Sequence, residues 1–192
     1  KYKKGRCVIG NPPYGRSMNL ARQFYNKSVE IADYIAFILP ISQYKNNQQL
    51  YKFNLNYSED LGLHKYSNRD LHCCFNIYIR PSNGKLIKSP QKYDLKDVKV
   101  IGFSRGSKNA PPKYYDFGMC TWGDGSCGKE IKYTGQYAQE HYIIIKNEKL
   151  RNEILKVCRE TDWRNLYPSI SAAKLQTWKI YKHFRDTIPD IK

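Results

Sequence analysis

Residues 6–15 read Arg-Cys-Val-Ile-Gly-Asn-Pro-Pro-Tyr-Gly, and this stretch decides the predicted fold. Its first half is a short apolar run that predicts a buried strand over 6–10, ended by the two prolines. Residues 34–39 form a second, continuous apolar run, which Pro40 stops. A strand that is apolar at every position is typical of a parallel sheet covered by helices. The two runs together predict an α/β fold.

The segment between the two runs predicts a helix. Leu20, Phe24, Val29 and Ile31 recur at roughly helical spacing, so 19–32 is interpreted as an amphipathic helix. Asn19 is the residue type that favours a helix N-cap, and we expect it to take that role. Further along the chain, the sequence predicts a polar helix over 42–53, strands at 60–66, 74–79 and 98–103, and a turn at 81–84.

A loop rich in Gly, Ser, Asn and Pro over 104–112 predicts a domain boundary near residue 105. Residues 1–105 then form the main α/β region, and residues 106–192 form a small mixed α+β portion. The predicted elements of that portion are a hairpin around 123–125, a strand at 141–145 and helices at 148–159 and 172–184. Its core is expected to be anchored by Trp122, Trp163 and Trp178.

The charge of the chain predicts an anionic partner. The chain has 33 Lys and Arg against 17 Asp and Glu, a formal net charge of +16 over 192 residues. Nucleic acid is the commonest anionic partner of such a protein. The alternative is a basic surface that is merely well solvated. No apolar run approaches the length of a membrane span, so no membrane association is predicted.

The cysteines predict a reduced, cytoplasmic protein. Six are present, without a Cys-x-x-Cys pair or the spacing of a disulfide framework. Cys120, Cys127 and His141 lack a fourth ligand and the spacing of a zinc site, so no metal site is predicted.

The tetrapeptide Asn11-Pro12-Pro13-Tyr14 carries the predicted chemistry. It directly follows a strand, at the sheet edge where open α/β folds bind ligands. The Asn11 carboxamide and a backbone carbonyl of the Asn11–Pro12 segment can both accept hydrogen bonds from an exocyclic amine of a nucleobase, which would raise the nucleophilicity of that amine. The prolines fix these carbonyls, and Tyr14 can stack on the base. The alternative is a rigid turn in which Tyr14 only covers the core.

This stretch resembles a known family. Val-Ile-Gly-Asn-Pro-Pro-Tyr-Gly at 8–15 is similar to the catalytic motif of adenine-specific, amino-group DNA methyltransferases of restriction-modification systems. Residues 36–42 are similar to the strand and Leu-Pro step that follow the motif, and 73–80 to a later strand. The resemblance covers about 6–105. It implies a partial, Rossmann-like methyltransferase fold that transfers a methyl group from S-adenosyl-L-methionine to adenine in double-stranded DNA, after the base is flipped out.

The resemblance also implies residue roles. Asn11 and Pro12 are the amine acceptors, Pro13 completes the rigid turn, and Tyr14 stacks on the base. A second aromatic should cover the other face of the base; Tyr66 matches best, with His72 as the fallback. The basic residues expected to contact nucleic acid are Lys3, Lys4, Arg16, Arg105, Lys108 and Lys113.

The donor site is the feature that departs from the family. Family members bind S-adenosylmethionine through a glycine-rich turn, usually ahead of the catalytic motif, but only ten residues precede Asn11 here. The Gly-x-Gly-x-x-Gly string at 123–128 lacks a preceding strand and a following helix, so it predicts a hairpin turn instead. We therefore expect the donor site to lie largely outside this chain, on a missing N-terminal segment or a second chain.

Three alternatives remain open at this level. The chain is a fragment, one half of a split enzyme, or a remnant that binds nucleic acid without catalysis. The acceptor can also be RNA or a glutamine side chain of a protein, because their amines and amides suit the same oxygen acceptors. A bacterial or phage-infected cell is the expected setting. The C-terminal portion is expected to touch DNA and to help read its sequence.

Overall fold

The computed structural model describes residues 1–66, 69–107, 110–123, 125–166 and 174–192. The chain divides into two compact units, Lys1–Gln91 and Lys92–Lys192. The division falls earlier than the boundary predicted near residue 105, so the strand predicted at 98–103 belongs to the second unit. Within the described residues the fold is mixed α/β, with two sheets and four helices.

The first unit contains a four-stranded sheet. Its strands are β1 (Cys7–Gly10), β2 (Tyr34–Pro40), β3 (Asn54–Tyr66) and β4 (Arg69–Ile79), arranged in the order β1-β2-β4-β3. β1 and β2 are parallel, as predicted, and the remaining pairs are antiparallel. Both β3 and β4 begin earlier than predicted, and together they form a long hairpin.

Helix α1 (Asn19–Ile31) connects the two parallel strands and covers one face of the sheet. Its buried apolar side chains are Ala21, Tyr25 and Val29. The face predicted from the sequence was therefore partly wrong, because Leu20 and Phe24 are 40% and 51% exposed. The predicted N-cap is also wrong: Asn19 is the first helical residue, and Met18 precedes it in a left-handed conformation without a side-chain cap.

The polar helix predicted over 42–53 is not formed. A single 3-10 turn, Ile41–Gln43, is followed by irregular backbone. Lys45 adopts a left-handed conformation, with φ of 46°. The Asn46 side chain donates to the Ser42 carbonyl at 2.8 Å and accepts from the Gln48 amide at 2.9 Å. Such local side-chain hydrogen bonds compete with a helix, which explains the failure of the prediction.

The second unit contains a three-stranded antiparallel sheet in the order β5-β7-β6. Its strands are β5 (Val98–Ser104), β6 (Phe117–Cys120) and β7 (Gln139–Ile145). Its helices are α2 (Arg151–Glu160), α3 (Trp163–Leu166) and α4 (Thr177–Thr187). β6 and α3, which are only four residues long, were not predicted from the sequence. α4 ends later than predicted, and residues 172–173 of the predicted helix lie outside the described residues.

The core of the second unit lies between one face of this sheet and the helices. Trp163 is buried with Ile143, Ile154 and Phe184, and its indole N–H donates to the Cys158 carbonyl at 2.9 Å. The prediction that three tryptophans anchor this core is thus confirmed for Trp163 alone. Trp122 is 50% exposed.

The chain reverses direction where the hairpin around 123–125 was predicted, and Asp124 itself lies outside the described residues. An antiparallel bridge joins Met119 to Glu130, and the Cys127 amide donates to the Gly123 carbonyl at 3.0 Å. No helix begins among the described residues of 125–138. All six cysteines are free, as predicted. Among the residues that the structure describes, no helix combines the length and the apolar character needed to span a bilayer.

His141 lies on β7 where the sheet face beneath α4 changes from apolar to polar. Its ring covers Gly102 of β5, and its Nε2 lies 2.7 Å from the Thr177 hydroxyl at the start of α4. The residue is 9% exposed, and its Nδ1 has no hydrogen-bond partner among the described residues. Burial, with a smaller contribution from the Lys174 ammonium, lowers the pKa of His141 to about 4.

We expect the second unit to lose stability as the pH falls from about 6.5 to about 4. The unfolded chain binds a proton at this histidine over that range and the folded chain does not, so protonation favours unfolding. The lost free energy of unfolding is on the order of 3 kcal/mol. Denaturation followed by tryptophan fluorescence at several pH values, for the wild type and His141→Gln, measures this contribution. An unchanged pH dependence in the variant would contradict the assignment.

Candidate base-binding site

The Asn-Pro-Pro-Tyr turn (residues 11–14) lies at the carboxyl end of β1, beside the parallel strand β2. This position at the sheet edge was predicted from the sequence. Asn11 and Pro13 are exposed, Pro12 is buried, and Tyr14 is half-buried against the core of the first unit. The buried proline anchors the turn, and the exposed Asn11 can reach a ligand above the sheet edge.

One hydrogen bond fixes the orientation of the Asn11 carboxamide. The Tyr14 hydroxyl lies 3.2 Å from Asn11 Oδ1 and donates to it. The same hydroxyl contacts Cys73 Sγ of β4 at 3.5 Å. A carboxamide oxygen has two lone pairs, so Asn11 Oδ1 can still accept a second hydrogen bond. Tyr14 therefore orients the predicted acceptor without using all of its accepting capacity.

The backbone after the turn is held in an uncommon conformation. Gly15, Ser17 and Met18 have φ values of 66°, 52° and 66°. An added Cβ at Gly15 would lie 2.8 Å from Leu20 Cγ, so only glycine fits between the turn and α1. Residues other than glycine are strained in the left-handed conformation, and such strain is often found at binding sites. The tight connection fixes residues 11–14 relative to α1.

Cys73 is the site residue that sequence reasoning missed. It is buried on β4, and the register pairs it with Pro40, the last residue of β2. No local pattern marks a single cysteine in a strand as a neighbour of a tyrosine 59 residues away. Only the strand register brings Tyr14 and Cys73 together.

Neither candidate for a second stacking aromatic has a described contact with the turn. His72 precedes Cys73 on β4, and successive side chains of a strand project from opposite faces of the sheet. Its Nε2 lies 2.6 Å from Asp60 Oδ1. The backbone of Tyr66 pairs with Arg69, four residues or roughly 13 Å along β4 from Cys73. The Tyr66 side chain lies outside the described residues.

The structure separates the basic candidates of the first unit. Arg16 is exposed, directly after the turn. Lys3 and Lys4 are also exposed but precede the amino end of β1, so the whole strand, roughly 13 Å, lies between them and Asn11. The Lys3 amide donates to the Ile31 carbonyl at 3.2 Å, which holds this segment at the other end of the sheet. Contact of Lys3 and Lys4 with nucleic acid stays a prediction, at the end of the sheet opposite to the turn.

The remaining basic candidates belong to the second unit. Arg105 is exposed and donates to the Gly135 carbonyl at 3.2 Å. Lys113 is exposed, and Lys108 lies outside the described residues. Arg105 and Lys113 both lie on the surface of that unit, where a phosphate could reach them.

The edge of the sheet beside the turn is open. No described strand pairs with the outer edge of β1. Ile9, two residues before Asn11, is 76% exposed, and Cys7 is also exposed. None of the described cavities is lined by Asn11. β1 is thus an apolar strand with an unpaired edge and, at Ile9, an uncovered face, whereas strands with a parallel partner are normally covered on both faces.

The turn can supply oxygen acceptors and an aromatic ring, and these groups suit recognition of an amine on a flat ring. The described glycines of the Gly-x-Gly-x-x-Gly string at 123–128 lie in a turn between the bridged residues Met119 and Glu130. No protein-family model, curated protein or solved structure matches this chain.

Proposed function

We propose that residues 1–91 are the base-binding, catalytic half of a site-specific DNA adenine methyltransferase. The reaction is transfer of a methyl group from S-adenosylmethionine to the exocyclic amine of a flipped-out adenine. The observation that carries the proposal is the exposed Asn11 carboxamide, oriented by Tyr14 at the carboxyl end of a parallel strand. Open α/β sheets bind ligands at this edge.

Each residue of the turn has a defined part in this reaction. Asn11 Oδ1 accepts one hydrogen bond from the adenine amine, and the backbone carbonyl of the Asn11–Pro12 segment accepts the other. Both bonds strengthen as positive charge develops on the nitrogen during methyl transfer. Tyr14 presents its ring to the base while its hydroxyl keeps the Asn11 carboxamide in place. Arg16, which is exposed directly after the turn, contacts a flanking phosphate.

The open edge of β1 supports a second part of the proposal. The donor-binding half is supplied by another segment or chain, which adds a strand beyond β1 and a covering element over the sheet face that exposes Ile9. A strand added parallel to β1 would place the donor beside the Asn-Pro-Pro-Tyr turn, because the carboxyl ends of parallel strands lie at the same edge of the sheet. The net charge of +16 supports nucleic acid as the acceptor.

A methylation assay with three acceptors tests the proposal. The full-length protein, or the chain with its donor-binding partner, is incubated with S-adenosylmethionine labelled in the methyl group. The acceptors are duplex DNA from a host without adenine methylation, total RNA, and glutamine-containing peptides. Genomic DNA is used because it contains every short recognition sequence. We expect label in DNA, recovered as N6-methyladenine after digestion.

The other outcomes separate the alternatives. Label in RNA or peptide would support the proposed role of the turn in methyl transfer but would show that DNA is not the acceptor. Binding of duplex DNA without donor binding by calorimetry would indicate a protein that binds nucleic acid and does not catalyse. Either result would contradict the proposal as stated.

A further inference from the structure

Cys73 is a buried thiol at the edge of the first sheet where the Asn-Pro-Pro-Tyr turn lies. It belongs to β4, and the strand register pairs it with Pro40, the last residue of β2. On its other side it pairs with Gly62 of β3, directly after a register shift between Asp60 and Gly62. A residue held between two neighbouring strands has a well-defined position, so Cys73 is a rigid support for the groups that its side chain contacts.

The Cys73 thiol contacts the hydroxyl of Tyr14, and the same hydroxyl contacts Asn11. The distance from Cys73 Sγ to Tyr14 Oη is 3.5 Å, and the distance from Tyr14 Oη to Asn11 Oδ1 is 3.2 Å. The three side chains form a relay of two hydrogen bonds, which runs from the buried strand β4 to the exposed carboxamide of the turn. Consecutive hydrogen bonds of this kind polarise and strengthen one another.

The number of protons on these groups determines the direction of both hydrogen bonds. A carboxamide oxygen carries no proton, so the bond between Tyr14 and Asn11 Oδ1 uses the single proton of the phenol. The phenol then has no proton left for Cys73, and the thiol, which carries one, is the donor of the remaining bond. The relay therefore runs from the Cys73 S–H to the Tyr14 oxygen, and from the Tyr14 O–H to Asn11 Oδ1.

The thiol donor also selects the orientation of the Asn11 carboxamide. A carboxamide has an oxygen and an NH₂ group of similar size, and a phenol can donate to the first or accept from the second. When the Tyr14 oxygen already accepts from Cys73, donation of the Tyr14 proton towards Asn11 satisfies all three groups. Without the thiol, the Tyr14 hydroxyl can equally accept from Asn11 Nδ2, with the carboxamide rotated and its oxygen turned away from Tyr14.

We propose that Cys73 is a positioning residue of the Asn-Pro-Pro-Tyr turn. Its thiol commits the proton of Tyr14 to Asn11 Oδ1, and so holds the carboxamide in the orientation in which that oxygen meets the amine of the base. Cys73 is fully buried and acts only through Tyr14. The consequence for methyl transfer rests on the proposed function, whereas the orientation of the carboxamide is a property of the unliganded chain.

NMR of the Asn11 side-chain amide tests the relay in the unliganded chain. The wild type and Cys73→Ser, which keeps a donor, should each give one pair of amide signals at similar positions. Cys73→Ala should shift or double these signals, because two carboxamide orientations become populated. Cys74→Ala is the matched control: Cys74 is equally buried on β4, but its thiol donates to the Pro40 carbonyl at 3.4 Å. Its removal should leave the Asn11 signals close to those of the wild type.

Single-turnover kinetics of the full-length protein test the consequence for methyl transfer. Cys73→Ala should lower the rate about fivefold, the loss expected for one ordinary hydrogen bond. The dissociation constant for DNA should not change, because the variant keeps Arg16 and the basic surface. Cys73→Ser should recover most of the rate. Tyr14→Phe removes the link between Cys73 and Asn11, so adding Cys73→Ala to Tyr14→Phe should cause no further loss.

The two measurements separate failure of the relay from failure of the proposed function. Unchanged Asn11 signals in Cys73→Ala, or an equal change in Cys74→Ala, would overturn the relay. If the wild type is active, an unchanged rate in Cys73→Ala, or a further loss in the Tyr14→Phe background, would also overturn it. An inactive wild type would contradict the proposed function alone, and the NMR comparison would then decide whether Cys73 orients the turn.

Discussion

Asn11→Ala is expected to lower the rate of methyl transfer by a factor on the order of 100 to 1,000. The substitution removes the side-chain oxygen that accepts a hydrogen bond from the reacting amine, and this bond is strongest in the transition state. Arg16 and the rest of the basic surface remain, so the affinity for DNA should change little. Single-turnover rates and DNA dissociation constants of the full-length protein measure the two effects separately.

Two further variants make the Asn11 prediction specific. Asn11→Asp keeps the oxygen acceptor and should retain more activity than Asn11→Ala. Asn56→Ala removes an exposed carboxamide from β3 and is the matched control, with activity close to the wild type. Near-normal turnover by Asn11→Ala would show that the carboxamide takes no part in catalysis.

Arg80→Met is expected to lower the stability of the first unit by about 3–5 kcal/mol. Arg80 follows β4, and its guanidinium donates to the Val29 and Ala32 carbonyls at the end of α1 and to Asp33 at 2.9 Å. Loss of the guanidinium removes the side-chain donor of the two carbonyls and one of the three groups that donate to the Asp33 carboxylate. Helix α1, which connects the two parallel strands, would then lose the contacts with Arg80 that hold its C-terminal end.

Asp33 and two aromatic rings complete this cluster. The Gly5 amide, the Tyr2 hydroxyl and Arg80 all donate to Asp33 and hold the pKa of its carboxyl below the ordinary value. The Arg80 guanidinium also lies 5.1 Å and 4.8 Å from the ring centroids of Tyr2 and Phe53. Methionine fills similar volume but cannot replace these contacts.

Hydrogen exchange of the backbone amides of residues 20–31, in α1, tests the prediction for Arg80→Met. Arg80→Met should exchange much faster there than the wild type, while Arg22→Met, at an exposed position of α1, should exchange at close to the wild-type rate. Tryptophan fluorescence follows the second unit alone and provides an internal reference. Equal protection in the two variants would contradict the role given to Arg80.

The sequence was sufficient to predict elements whose pattern is local and strong. The apolar runs that became β1 and β2, the helix between them, and the turn at 11–14 are all at the expected positions. Their signals do not depend on distant residues: continuous apolar strands, helical spacing and two prolines. The exposure of Asn11 also follows from its place just beyond a strand end.

Features set by tertiary contacts could not be predicted. Tyr25, rather than Phe24, is buried in α1 because its ring packs 5.3 Å from that of Tyr78 and its hydroxyl accepts from the Phe53 amide. The contact of Tyr14 with Cys73 depends on the β2–β4 register. Lys3 is close to the turn along the chain, but the intervening strand β1 separates them in space.

Photocrosslinking tests the central claim most directly, namely that the Asn-Pro-Pro-Tyr turn receives a flipped-out base. A duplex with 5-iodouracil in place of the methylated adenine is bound by the full-length protein and irradiated, and the crosslinked peptide is identified by mass spectrometry. A crosslink to Tyr14, absent when the analogue is moved elsewhere in the duplex, is the predicted result. A crosslink at another residue, or none despite DNA binding, would contradict the claim.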